Sequence, residues 1–339
     1  MKHSVALIGL ACCATLADSD GGDANPATAL AGPFRLLATG ELGEGRVAPW
    51  VLRDTLGGAR DLAVLDVDGD PKTPQVHGYV ARRAVGDDEP DSPPRELGRA
   101  YAEDGRSFGR DFETVLTASE PWEGGVLEAP CPVRVPERNE TSLYYAAAEG
   151  VGLARSVDEG PFIRTVQGPV LGVSTSGWDE GLVPRSPSVV RDDDGRYFMF
   201  FEADGVLGEA RSRDGEHWER ESSPALALAL ESETTSLGGP NAVFSRSATG
   251  RKLLWLYFVS SGADGARRVH VAARVGEGPF VRSEIPMLAP EAVDELSEPS
   301  IVRFDGFTLL YATALDKGST SNVGAVAPAT VVLSAPSRP

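Results

Sequence analysis

A proline-headed repeat constrains this chain more than any other feature. Three segments show it best, at 128–171, 185–226 and 238–288. Each begins at a proline and runs into a short apolar strand and a polar turn. An aromatic-rich strand follows, then a strand of small residues, then a fourth strand behind an Asp/Gly turn. Two fainter copies open at Ala48 and at Glu298. The marker prolines are Pro49, Pro130, Pro187, Pro240 and Pro299, spaced by 81, 57, 53 and 59 residues. Four strands with their turns need roughly 40–50 residues, so each interval holds one four-stranded unit. Units of this size cannot bury their own apolar faces and must stack on one another. The expected fold is all-β: a five-bladed β-propeller with four-stranded antiparallel blades, near 47–118, 126–171, 183–226, 237–288 and 295–334. The long first interval contains Asp87–Glu96, an acidic, proline-rich stretch that reads as a loop.

Aromatic residues fall where blades must pack, at Tyr144-Tyr145, Tyr197-Phe198, Phe200-Phe201, Trp255, Tyr257 and Tyr311. A proline at the first residue of a strand removes no ladder hydrogen bond. The turn before the fourth strand also repeats, as Asp104-Gly105 to Phe108, Asp158 to Gly160 and Phe162, Asp214-Gly215 to Trp218, and Gly276 to Gly278 and Phe280. Asp caps such a turn, Gly supplies a positive φ, and the aromatic packs back onto the sheet. Gly32-Pro33-Phe34-Arg35 has the same form but stands ahead of the first unit. Residues 32–38 are therefore expected to pair with the last blade and close the ring, the alternative being a surface arm.

The N-terminus is a separate module. Met1-Lys2-His3 is a short basic start, Val5 to Leu10 is apolar, and Ala11-Cys12-Cys13 follows. This is the layout of a secretory signal over residues 1–16, too short to span a bilayer. Its Leu-Ala-Cys-Cys end resembles a bacterial lipobox, with Cys12 as the preferred lipidation site and Cys13 as the alternative; an ordinary cleaved signal is the other reading. Residues 17–31 are small, polar and Gly/Pro-bearing and read as a flexible tether. A single propeller domain would occupy 32–334. The expected location is the cell envelope through a lipid anchor, or secretion if the lipobox is not used. Cys131 is the only other cysteine, so no disulfide framework exists, and it reads as a small buried apolar residue.

Fifty acidic residues against 32 Lys and Arg give a net charge of −18. That surface repels nucleic-acid phosphates and anionic lipid, which excludes nucleic-acid binding as an expected function. The four histidines show no metal-ligand spacing, and no phosphate-binding or dinucleotide motif occurs. Asp66-Val-Asp68-Gly-Asp70 has the acid spacing of a calcium loop, but Pro71 and His77 stand where Gly and Glu are needed. A solvated turn is the preferred reading there, with a calcium site as the alternative. No cofactor or metal is expected, and a monomer is.

The Ser186-Pro187 opening with its Asp-Asp-Asp-Gly turn, and the Ser212-Arg-Asp214-Gly215-Glu-His-Trp218 turn, resemble the five-bladed propellers of the arabinanase, levansucrase and invertase superfamily. That group includes glycoside hydrolase families 43 and 32. The resemblance covers about 32–334 by pattern. It implies a central funnel holding three carboxylates from different blades, two for acid and base or nucleophile work and one to orient the sugar. Glu128 in Glu-Ala-Pro resembles the position of the family's acid, and Glu298 in Glu-Pro-Ser lies one residue closer to its proline. The first blade should carry an acid before Pro49 and has Ala48. Asp54 and Asp66 lie elsewhere along that blade and do not simply replace it.

The candidate catalytic residues are thus Glu128 and Glu298, with sugar-hydroxyl binding or pairing with Arg185 as their alternative role. Arg185 is a candidate for holding a carboxylate through a bidentate bond, or a structural ion pair. Asn241 is a candidate ligand contact or a turn cap. Trp122 and Trp178 precede inner strands at similar distances and are candidates for stacking on a sugar from the funnel rim, or for packing between blades. Trp50 is expected on the first inner strand. The expected ligand is a carbohydrate. The absent first-blade acid favours a binding protein without the usual triad; the alternative is an active glycoside hydrolase or glycosyl transferase acting on extracellular glycans.

Overall fold

The structure is a computed structural model. It describes residues 34–36, 50–52, 59–67, 75–84, 92–102, 105, 108, 113–229, 233, 235–247, 249–284, 286–287, 293–304, 307–316 and 329–336. In chain order the strands are β1 (Arg35–Leu36), β2 (Trp50–Leu52), β3 (Arg60–Asp66), β4 (Val76–Arg82), β5 (Glu96–Ala102), β6 (Glu113–Thr117), β7 (Glu128–Val135), β8 (Glu140–Ala147), β9 (Gly150–Val157), β10 (Ile163–Arg164) and β11 (Leu171–Gly172). They continue as β12 (Arg185–Arg191), β13 (Tyr197–Ala203), β14 (Val206–Ser212), β15 (Glu219–Arg220), β16 (Ser236–Arg246), β17 (Lys252–Ser261), β18 (Arg267–Val275), β19 (Val281–Arg282), β20 (Val293–Phe304), β21 (Phe307–Asp316) and β22 (Ala329–Pro336).

Four sheets are antiparallel meanders of consecutive strands: β3 to β6, β7 to β10 with β11 also on β9, β12 to β15, and β16 to β19. Another sheet is composite. It runs β20-β21-β22-β1, and β2 also pairs with β22. Arg35 stands opposite Ser334 and Leu36 opposite Leu333, so the N-terminal segment lies on the last sheet. The innermost strands touch in a closed circuit, β3 to β7 to β12 to β16 to β20 and back to β3. The architecture is an all-β propeller.

The sheets are covered on both faces, so their central strands are apolar throughout rather than alternating. In β13, Tyr197, Met199 and Phe201 pack toward the β7–β10 sheet with Tyr144 and Leu153, while Phe198 and Phe200 pack toward the β16–β19 sheet with Leu254 and Phe258. Similar apolar clusters fill the space between β16–β19 and the composite sheet, around Trp255 and Leu310, and between that sheet and β3–β6, around Val80 and Tyr311. A further cluster, with Tyr79 and Tyr145, joins β3–β6 to β7–β10. The repeated Asp-Gly turns clamp neighbours: Tyr144 donates to the Gly215 carbonyl at 2.9 Å, and Tyr311 donates to the Gly105 carbonyl at 2.7 Å.

Three expectations need correction. A set of five blades of one build is not what forms; four are continuous four-stranded units, and the remaining sheet draws its strands from both ends of the chain. Pro49 lies outside the described residues, and the strand after it does not open the first blade, because Trp50 of β2 pairs with Val331 of β22 in the composite sheet. Trp50 is accordingly not on the first inner strand. That strand is β3, where Leu62 occupies the place that proline takes in the other inner strands. The signal segment with Cys12 and Cys13, the tether, Ala48, Asp54 and Asp68–Asp70 lie outside the described residues.

Candidate carboxylate site at the head of the inner strands

Each inner strand slips its pairing at the same place. The register shifts between Arg60 and Ala63, Glu128 and Cys131, Arg185 and Ser188, Gly238 and Asn241, and Ser297 and Ser300. Within each slip one residue is left-handed: Asp61 (φ 59°), Ala129 (45°), Ser186 (47°), Gly239 (52°) and Glu298 (47°). Only one of these is glycine. A non-glycine residue in this region costs about 1–2 kcal/mol, and bulges of this kind re-aim a side chain next to a functional cavity. These five positions, here called seats, form a ring at the head of the central passage.

Two seats and one neighbour supply acids to a single cavity of about 260 Å³, lined by Asp61, Glu128 and Glu298 together with Arg60, Arg185, Ser186 and Arg267. Asp61, on the first inner strand, brings a carboxylate to this cavity that the proline markers did not point to. Its own N–H donates to Thr313 Oγ1 at 2.8 Å, and its Oδ2 accepts the Ala129 N–H at 3.3 Å. Arg60 pairs with Glu128 Oε1 and lies 3.7 Å from Asp61 Oδ2. Arg185 approaches Glu128 Oε2 at 3.9 Å. Ser186 donates to Glu298 Oε1 at 2.8 Å.

Burial raises the Asp61 pKa to about 6, with the positive charge of Arg60 opposing the shift. Glu298 is pushed up to about 8, first by burial and next by the charge of Asp61, against the hydrogen bond from Ser186. Carboxyls this close in one buried site titrate together rather than singly. Near neutrality the two carboxyls together therefore carry less than two full negative charges. Glu202, opposite Arg185 on β13, is also raised by burial and accepts the Gly239 N–H. A Cβ on Gly238 would lie 2.6 Å from Glu202 Oε2, so the paired glycines make room for this carboxyl.

Glu128, Glu298 and Arg185 therefore come together, and the remaining candidates do not join them. Trp122 is buried and stacks on Tyr145, with ring centres 6.1 Å apart. Trp178 stacks on Phe201 at 6.1 Å and donates to the Glu221 carbonyl. Both indoles do packing work between strands instead of standing on a rim. In each case a glycine of the next strand, Gly152 or Gly208, lies against the other aromatic ring, where a Cβ would come within 2.3 Å.

Asn241 lies below the cavity, in a central passage of about 300 Å³. Its side chain accepts the Ile301 N–H at 3.0 Å. It belongs to a series of latches between inner strands: Cys131 Sγ accepts from Val189 N–H (3.2 Å), Ser188 Oγ from Ala242 N–H (2.8 Å), and Ser300 Oγ from Val64 N–H (3.2 Å). At the remaining junction Ala63 offers no acceptor, and the facing position is Pro132, which has no N–H. Cys131 is thus a latch as well as a half-buried thiol, and burial raises its pKa to about 11.

Asp61 and Glu202 were not singled out from the sequence. For Asp61 the available signal was the apolar run Leu62–Leu65 ahead of an Asp-x-Asp-Gly turn, which parallels Pro187–Val190 ahead of Asp192. No group of acids, histidines and cysteines suited to a metal ion occurs among the described residues.

No protein-family profile and no curated protein sequence matches the chain. Solved structures do. An α-L-arabinofuranosidase from Clostridium thermocellum shares 15% identity over 80% of this chain and 95% of its own, with a TM-score of 0.55. An endo-1,4-β-xylanase from Bacteroides thetaiotaomicron shares 16% over 84% and 96%, with a TM-score of 0.60. A family 62 glycoside hydrolase solved with xylotriose shares 12% over 84% and 95%, with a TM-score of 0.62. At these identities the likeness establishes the propeller fold.

Proposed function

We propose that this protein hydrolyses glycosidic bonds in the cavity at the head of the inner strands, with the composite sheet serving as the fifth blade of the ring. The convergence of Asp61, Glu128 and Glu298 in one cavity carries this reading. Resemblance of the fold to carbohydrate-active propellers supports it. Glu298, protonated near neutrality, is the proton donor to the glycosidic oxygen. Asp61, ionised under the same conditions, takes the proton of the attacking water or attacks the sugar carbon itself. Glu128, held by Arg60, orients sugar hydroxyls and sets the charge around the other two.

The test is release of reducing ends from a panel of plant and microbial glycans. Asp61→Asn and Glu298→Gln are each expected to lower kcat by about 10²–10⁴-fold. The pH profile should rise through about 6 as Asp61 ionises and fall through about 8 as Glu298 loses its proton. Unchanged turnover in both variants would remove the hydrolytic assignment.

Binding without turnover is the second reading. The ion pair that occupies Glu128 favours it, as do the three seats without an acid, Ala129, Ser186 and Gly239. Saturable glycan binding with no products from any glycan would select it. We further propose export on a lipid anchor at Cys12, supported by the Leu10-Ala11-Cys12-Cys13 motif. Incorporation of labelled palmitate that disappears in Cys12→Ala tests the anchor.

A further inference from the structure

The cavity holds three guanidinium groups beside its three carboxylates: Arg60, Arg185 and Arg267. They sit on a protein whose net charge is −18, so a general cationic surface does not explain them. Arg60 is committed to Glu128 and Asp61. Arg185 is different. Its side chain is 53% exposed, and among the described residues its ion-pair contact is Glu128 Oε2 at 3.9 Å, beyond hydrogen-bonding reach. The other oxygen of that carboxylate is already taken by Arg60. The raised pKa values of Asp61 and Glu298 leave these two short of a full pair of negative charges near neutrality. Glu202 stands opposite Arg185 with its own pKa raised by burial, and the exposed Arg185 fork still has no carboxylate within hydrogen-bonding reach among the described residues.

A sugar with hydroxyl groups alone would give the Arg185 fork no charged partner. A carboxylate would accept two parallel N–H bonds from it, in the planar geometry that distinguishes guanidinium from ammonium. We propose that the glycan taken by this cavity carries a uronic acid, and that Arg185 is the specificity-determining residue that pairs with its carboxylate. This rests on the glycan reading above and narrows it to an acidic substrate class.

The test uses the full-length Glu298→Gln protein, so that ligands are bound without being consumed. Calorimetric titration would compare trigalacturonate with galactotriose, and glucuronate-substituted xylotriose with xylotriose. At least one acidic member is expected to bind about tenfold or more tightly than its neutral counterpart, as a charge-assisted bidentate contact implies. Adding Arg185→Gln should abolish that preference, bringing the acidic member down to the affinity of its neutral counterpart in the same variant, with the melting temperature as the check that the fold is kept. Arg185→Lys should keep only part of it. A sulfated galactotriose, equal in charge but not planar, should bind less tightly than the uronate. Equal affinity for acidic and neutral members, a preference that survives Arg185→Gln, or sulfate binding as tight as carboxylate binding would each overturn the assignment while leaving a glycan site intact. Failure of every glycan to bind would overturn the glycan reading itself.

Discussion

Five left-handed positions aim single residues at the head of the central passage. Four carry side chains despite the strain, and two of those are acids facing one cavity. The proline before which Glu298 stands marks its seat in the sequence, and Glu128 was legible for a similar reason, one residue further upstream. Asp61 was not legible, because Leu62 fills the proline's place and Pro49 offered a competing marker. Glu298 should also leave a trace in stability. Its folded pKa lies above the ordinary value of 4.5, so the folded protein binds more protons than the unfolded chain between about 4.5 and about 8. The stability this provides is complete below 4.5 and is lost as pH rises through 8. Glu298→Gln removes the penalty of a buried anion, and thermal melts should show a variant that matches wild type at pH 5 and exceeds it at pH 9, by on the order of 2–4 °C. An equal difference at both pH values would contradict the raised pKa.

Elements are joined by the latches between inner strands. Ser188 is buried, and its hydroxyl satisfies the Ala242 N–H of the next sheet. Ser188→Ala should cost about 1–3 kcal/mol in urea denaturation, the price of a buried donor left unpaired. Ala63→Ser provides the internal contrast, since the facing Pro132 has no hydrogen to give; no stabilisation is expected there. A gain from Ala63→Ser equal to the loss from Ser188→Ala would show that these hydroxyls act through something other than the facing N–H. The same scale explains the tryptophans. Sequence spacing correctly gave Trp122 and Trp178 equivalent places ahead of β7 and β12, but spacing carries no information about which way a ring turns. The direction is set by Tyr145 over Gly152 and Phe201 over Gly208, flat surfaces made available by the missing side chains.

The whole molecule depends on a sheet that neither end of the chain can complete alone. β22 pairs with β21, β1 and β2, so it holds three separate stretches of sequence together. Ending the chain after residue 328 removes it. The loss should be comparable with the entire stability margin of a protein this size, about 5–15 kcal/mol, and the truncated chain should show no cooperative melt. A sharp transition near the wild-type temperature would mean that the remaining sheets hold the circuit without it. The repeat announced the four continuous units because each is contiguous in sequence. It described the composite sheet less well, because pairing between remote segments leaves little periodicity to read.

The seats also bear on how such a molecule can change over generations. Each is reached by the same backbone slip, and its side chain leaves the apolar layers between sheets untouched. An exchange at one position therefore alters the polarity of the cavity from a new compass bearing while the architecture stays as it was. Ala129 and Ser186 already tolerate left-handed geometry with a side chain in place. A carboxylate at either would need no further accommodation of the backbone. At these five addresses the scaffold thus keeps inheritance of shape apart from inheritance of chemistry.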